Sequence, residues 1–133
     1  QRSNDMELQT VKTSELTGAA LDWAVAKCEG WPLTWDENAE DFFLGLWAPL
    51  CFLKEYTPST IWVQGGPIIE RELLSPEPEL DHNCKCFRWC CRNWTGDGGY
   101  LYGPTPLIAA MRCYVASKLG DCVDLPKELL VIT

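Results

Sequence analysis

PTPLIAAMRCYVASKLG (104–120) is the stretch whose reading decides the fold. Thr105 supplies a side-chain oxygen suited to an N-cap, and Pro106 fits the first helical position, where its missing N–H costs nothing. Leu107, Ile108, Met111, Val115 and Leu119 recur at helical spacing and draw one apolar stripe. Arg112 and Lys118 fall late, where cations complement the helix dipole, and Gly120 stands where a helix stops. These features predict a helix over 106–119. A second helix is predicted over 18–29, from an N-cap at Thr17 through Leu21, Ala24, Val25 and Cys28 to a left-handed Gly30. Its other face carries Asp22, Lys27 and Glu29, which are expected in solvent.

The chain between the helices reads as strands and turns. Strands are expected over 42–47, 51–56, 61–63, 67–74 and 85–94, divided by Pro49, Pro58 and Gly65-Gly66. The alternation in 69–73 is poor. Ser75-Pro76-Glu77-Pro78-Glu79 is expected to be a loop, since prolines interrupt pairing. A short extended piece is expected after Val123. The fold class is therefore α+β: two amphipathic helices packed on one face of a small, mostly antiparallel sheet.

The 133 residues suit one domain, spanning 1–133, and 47% apolar content with seven tryptophans supports a core of its own. Gln1–Asp5 reads as an expression remnant ahead of Met6, and 6–11 is expected to be flexible. No apolar run reaches the length of a membrane span or a secretory signal, which places the chain in the cytoplasm. A net charge of −8 argues against nucleic acid and against anionic membranes. The nearest thing to a basic patch is Lys85, Arg88 and Arg92.

Eight cysteines in a reducing compartment are expected as free thiols, with Cys28, Cys51, Cys113 and Cys122 acting as small hydrophobes. His82-Asn83-Cys84-Lys85-Cys86 and Cys90-Cys91 offer zinc-ligand types, but no second ligand pair stands at zinc-site spacing, so no metal and no cofactor is expected. His82, the only histidine, has neither a rigid setting nor a third group to orient it as a base. Glu70 with Glu72 would share one face of a strand; that pair, and Glu37, Glu40 and Asp41, read better as solvated carboxylates.

Two glycine segments carry the ligand-site expectation. Gln64-Gly65-Gly66-Pro67 after Trp62 is expected to turn sharply, and Gly98-Gly99-Tyr100 leads through Tyr102 to the helix N-terminus at Thr105. Free N–H groups there favour an anion, the aromatic rings offer stacking faces, and Arg71 would supply a cation. The expected ligand-binding residues are Trp62, Gln64, Gly65, Gly66, Arg71, Tyr100, Tyr102 and Thr105, sharing one pocket; no catalytic residue is expected. The competing reading gives the glycines turn geometry alone.

Three segments, KTSELTGAALDWAVAKCEG (12–30), WVQGGPIIERE (62–72) and YGPTPLIAAMRCYVASKLGDCVDLPKELL (102–130), resemble the NinX-like family of small uncharacterised phage and prophage proteins. They cover somewhat under half of the chain; 31–60 and 73–101 lie outside the resemblance, and the cysteine-rich strand looks peculiar to this chain. The resemblance implies a phage accessory protein acting in the cytoplasm of a bacterial host, and no activity. The expected function is a protein without enzymatic activity that binds a host protein or a small nucleotide-like molecule to counter host defence. The alternatives are an enzyme on a phosphate-bearing metabolite and a structural or assembly protein. An oligomer is compatible with either.

Overall fold

The computed structural model describes residues 7–45, 51–93 and 99–132. Both predicted helices are present, as α1 (Gly18–Cys28) and α3 (Pro106–Leu119). At the end of α1, Trp31 N–H bonds back to the Ala26 carbonyl and Gly30 N–H to that of Lys27, with Gly30 at φ 85°. This is the pairing that a left-handed glycine makes possible. At the start of α3, Thr105 Oγ1 accepts from Ile108 N–H at 3.1 Å.

The described strands form three antiparallel sheets, so the fold is α+β. β1 (Leu8–Lys12) pairs with β8 (Cys122–Pro126); β2 (Leu33–Asp36), β3 (Asp41–Leu44) and β4 (Cys51–Phe52) form the second sheet; β5 (Leu74–Asp81), β6 (Cys86–Asn93) and β7 (Leu101–Gly103) form the third. The remaining helices are α2 (Trp62–Glu72) and α4 (Lys127–Ile132). Of the stretch expected to be flexible, residues 8–11 belong instead to a strand, 8–12, in register with 122–126.

α3 crosses one face of the β5–β6–β7 sheet, and α1 and α2 pack against α3. Leu107, Ala109, Ala110, Met111, Cys113, Tyr114 and Val115 are all buried, so α3 is a central helix covered on most of its circumference. The same holds for α1, where every residue from Ala20 to Ala26 is buried. Asp22 therefore does not face solvent. It is 3% exposed, and its Oδ1 accepts from Ser59 N–H at 2.9 Å. Alanines at 20, 24 and 26 allow neighbours close on several sides, which is why α1 has no free face.

The strands expected over 61–63 and 67–74 are instead one helix, α2, and 64–67 does not turn. Gly65 is buried because a Cβ there would lie 2.4 Å from the Pro58 carbonyl oxygen and 2.7 Å from Leu107 Cδ2. The glycine serves close packing of α2 on α3. Gly66 removes the side chain that Pro67 would otherwise clash with in helical geometry, so the proline is carried inside the helix.

The loop expected over 75–79 is part of β5. Pro76 and Pro78 stand opposite Cys91 and Trp89, and β5 is an edge strand. Two residues apart, both prolines turn their nitrogens away from β6, so no ladder bond is lost. The expected strand over 51–56 is shorter, passing into a 3-10 turn at Leu53–Glu55. β3 covers the first part of 42–47, whose end lies outside the described residues, and β6 covers most of 85–94, with Trp94 outside them.

Candidate functional site

A cleft of about 430 Å³ follows the open edge of β7. Tyr100, Leu101, Tyr102, Gly103 and Pro104 form one wall, Phe87 and Arg88 of β6 a second, and Ser14 with Arg112 the floor. Gly103 is there because a Cβ would come within 2.7 Å of the Ala109 nitrogen. Its absence lets β7 run directly into the first turn of α3.

Strand alternation sorts the side chains. Cys90 stands opposite Tyr102, and Glu79 opposite Arg88. Arg88, Arg92 and Tyr102 therefore share the face of the sheet that α3 does not cover. The Arg88 guanidinium lies 4.0 Å from the Tyr102 ring centroid, while its Nε donates to Glu79 Oε1 at 3.1 Å. Arg92 lies 6.0 Å from the Tyr100 ring. Phe87, Tyr100 and Tyr102 are 72%, 48% and 37% exposed. Each tyrosine thus carries a guanidinium over one face and leaves the rest of its ring exposed.

Arg112 differs from the other cations. Its Nε donates to the Leu16 carbonyl at 2.8 Å and its Nη1 to the Tyr102 carbonyl at 2.7 Å. Among the described residues no carboxylate lies within salt-bridge distance of it, and its Nη2 has no partner. Burial alone holds its pKa below the usual arginine value. A guanidinium stays charged under such a perturbation, so the cleft floor carries a positioned positive charge with no carboxylate partner among the described residues.

The structure divides the eight expected ligand residues. Tyr100 and Tyr102 line the cleft, and Thr105 caps α3 just beyond it. Trp62, Gln64, Gly65, Gly66 and Arg71 do not line it. Trp62 is 55% exposed on α2. Gln64 ties down the preceding turn, accepting from Thr57 N–H at 2.6 Å and donating to the Glu55 carbonyl at 3.1 Å. Arg71 binds Glu29 through both terminal nitrogens and also reaches the buried Tyr114 hydroxyl at 3.2 Å, while Tyr114 itself donates to Glu29. Those bonds hold the α1–α2–α3 junction together.

Two other sequence features read differently in three dimensions. Glu70 and Glu72 lie on a helix, not on one face of a strand, and Glu72 pairs with Arg71 and Lys118. Asp41 is buried, its two oxygens accepting from Phe42 N–H and Lys54 N–H. Arg112 was legible only as a dipole partner. Its position between Met111 and Cys113, inside an apolar stretch, was the signal that it is not an ordinary surface cation.

Not all cysteines are free. Cys84 and Cys86 are joined by a disulfide across Lys85, while Cys28, Cys51, Cys90, Cys91, Cys113 and Cys122 are free. Cys122 is exposed and so is no part of the core. Burial pushes the Cys28 thiol up to about 12 and raises those of Cys51 and Cys90. Among the described residues no three His, Cys, Asp or Glu side chains gather as a metal site, and no helix is long and apolar enough to cross a membrane.

Fold and cleft together describe a small α+β protein with an aromatic and arginine-bearing edge cleft. The family model described as bacteriophage P22, NinX matches residues 12–118, and the chain belongs to that family. The match runs through 31–60 and 73–101, so the cysteine-rich strand lies within the family's span and the whole cleft does too. No curated protein matches the chain.

Proposed function

We propose that this phage accessory protein binds a small nucleotide-like ligand in the β7 cleft, without catalysis, in the cytoplasm of the bacterial host. The observation that carries the reading is the guanidinium of Arg112, anchored by two backbone carbonyls in the cleft that Tyr100 and Tyr102 line and without a carboxylate partner among the described residues. In a chain of net charge −8, such a cation is where an anionic group gains most. The exposed rings supply stacking for a base. Among the described residues the lining offers these faces and cations, and no carboxylate or histidine. Countering host defence by sequestering a host nucleotide is the role we assign to that binding.

The test is a thermal-shift panel of mono-, di- and cyclic nucleotides. A binder at a hundred times its Kd adds about 2.7 kcal/mol of stability. Tyr102→Ala is expected to abolish the shift and leave the circular dichroism spectrum unchanged. If no nucleotide moves the melting temperature at millimolar concentration, the reading fails.

A second reading, a host protein partner, is favoured by one observation. Leu80 and Phe87 stand opposite each other on the β5–β6 hairpin and both are exposed, and Phe87 lines the cleft with Tyr100, Tyr102 and Arg88. Tyrosine and arginine beside exposed apolar side chains are the usual anchors of protein interfaces. A pull-down from infected host lysate with Phe87→Ala as the control separates this from the small-ligand reading.

A further inference from the structure

The β5–β6 hairpin carries a chemical group that the cleft does not use. Its two strands are each eight residues long and fully in register, from Leu74 opposite Asn93 to Asp81 opposite Cys86. At its tip the Cys84–Cys86 disulfide closes a ring over one intervening residue, Lys85. Cys84, Lys85, Cys86 and Phe87 are all exposed.

A disulfide stabilises mainly by constraining the unfolded chain, and the constraint grows with the loop it closes. A bond across one residue closes nearly the shortest loop there is. The hairpin needs no such staple, since its ladder already fixes the register. Exposure points the other way, because solvent-accessible disulfides are the labile ones, open to attack by a thiolate. Lys85 adds to this. It sits at φ 56°, a left-handed conformation that a residue with a side chain adopts at some cost, held by its N–H bond to the Asp81 carbonyl at 2.8 Å. The ring thus spans a residue already held in a costly backbone conformation.

We propose that Cys84 and Cys86 form a thiol–disulfide exchange site for small monothiols of the glutathione class and their disulfides. In the closed form a monothiolate attacks one of the two sulfurs. The Cys84–Cys86 bond breaks, a mixed disulfide forms, and the other cysteine leaves as a thiolate. A second monothiolate then displaces the cysteine from the mixed disulfide. The products are one oxidised disulfide of the small thiol and the reduced Cys84/Cys86 pair. The reverse sequence reduces a small disulfide and closes the ring again. The exposed Leu80 and Phe87 beside the pair give the reacting molecule an apolar surface to rest on.

The experiment equilibrates the full chain with reduced and oxidised glutathione over a series of ratios, quenches with acid, alkylates, and maps each cysteine by mass spectrometry. The pair is expected to pass from closed to open within the series through a glutathione adduct on Cys84 or Cys86. Buried Cys90, Cys91 and Cys113 are expected to stay unmodified while the circular dichroism spectrum holds. With the reduced chain and oxidised glutathione, Cys84→Ser and Cys86→Ser should each stop at the mixed disulfide, slowing release of the second glutathione at least tenfold. Cys122→Ser should leave both steps unchanged. If a serine variant loses its fold, alkylating both cysteines in the reduced, folded parent should instead abolish both steps, release of the first glutathione included. A pair that stays closed, or stays open, at every ratio overturns the proposal. So does a serine variant that releases the second glutathione as fast as the parent.

Discussion

Arg112 Nη1 donates to the carbonyl oxygen of Tyr102 at 2.7 Å, joining the central helix to the open edge of β7. Cys90 is the β6 residue opposite Tyr102, flanked by the pairs Trp89–Gly103 and Cys91–Leu101. Backbone groups alternate in direction along such a ladder, so those of Tyr102 point away from β6, and Arg112 takes the carbonyl that no strand can. The same side chain reaches the Leu16 carbonyl. Arg112→Ala is therefore expected to cost about 1–3 kcal/mol, since two carbonyls lose their donor. Arg112→Lys should recover part of the stability but not ligand binding, because an ammonium cannot span both carbonyls and present a further donor. Urea denaturation of the two variants, beside nucleotide thermal shifts, measures both halves of the statement.

Adjacent glycines should respond to substitution unequally. Gly65→Ala forces a Cβ to 2.4 Å from the Pro58 carbonyl oxygen and 2.7 Å from Leu107, and is expected to destabilise by about 1–3 kcal/mol. Gly66→Ala meets only Trp62, at 4.0 Å. There a helix-propensity gain of about 1 kcal/mol is opposed by the clash with Pro67, and the net change should stay within about 0.5 kcal/mol. Equal losses at both positions would show that α2 does not pack as described.

Asp22 makes stability depend on pH. Burial raises its pKa from 3.8 to about 6, the Ser59 bonds opposing only part of the shift. An acid with a raised folded-state pKa favours folding when protonated. Its contribution is complete below about pH 4 and is lost as pH rises through about 6. A shift of this size corresponds to about 3 kcal/mol. Asp22→Asn is expected to raise stability at pH 7 by up to that amount and to change little at pH 4. A gain of the same size at both pH values would mean the carboxylate is solvated in the native state.

Met111 is fully buried at the middle of α3. Met111→Ala is expected to lose about 2–5 kcal/mol, read from the denaturation midpoint at constant slope. A loss below 0.5 kcal/mol would place this face of the helix in solvent.

What was legible in the sequence follows from which signals are local. Thr105, Pro106 and Gly120 act on the backbone beside them, so α3 could be read with its ends; Gly30 does the same for α1. Gly65 could not be read that way. Its reason lies in Pro58 and Leu107, which only the folded chain brings near, so a packing glycine looked like a turn. The poor alternation of 69–73 was the local trace of the helix. Pro76 and Pro78 misled for a related cause, since a proline is forbidden or tolerated in a sheet according to which side its nitrogen faces. Asp22 looked like the polar side of an amphipathic helix because burial on every side of α1 is a property of its neighbours. In the cleft, Tyr100 and Tyr102 were found by their flat faces. Arg112 left no such local trace, because its lack of a carboxylate partner among the described residues is a fact of three dimensions.

The two prolines of β5 have a bearing on how this molecule meets others. Along that border the sheet shows a row of nitrogens with two hydrogens missing, which a foreign strand cannot dock to without gaps. Along the opposite border, three residues long, Arg112 already occupies a carbonyl. Both margins of the sheet thereby resist the addition of a further strand, the edge-to-edge pairing that leads to polymers. What stays open is the broad side carrying Arg88, Arg92 and Tyr102, which offers side chains instead of a ladder to be lengthened.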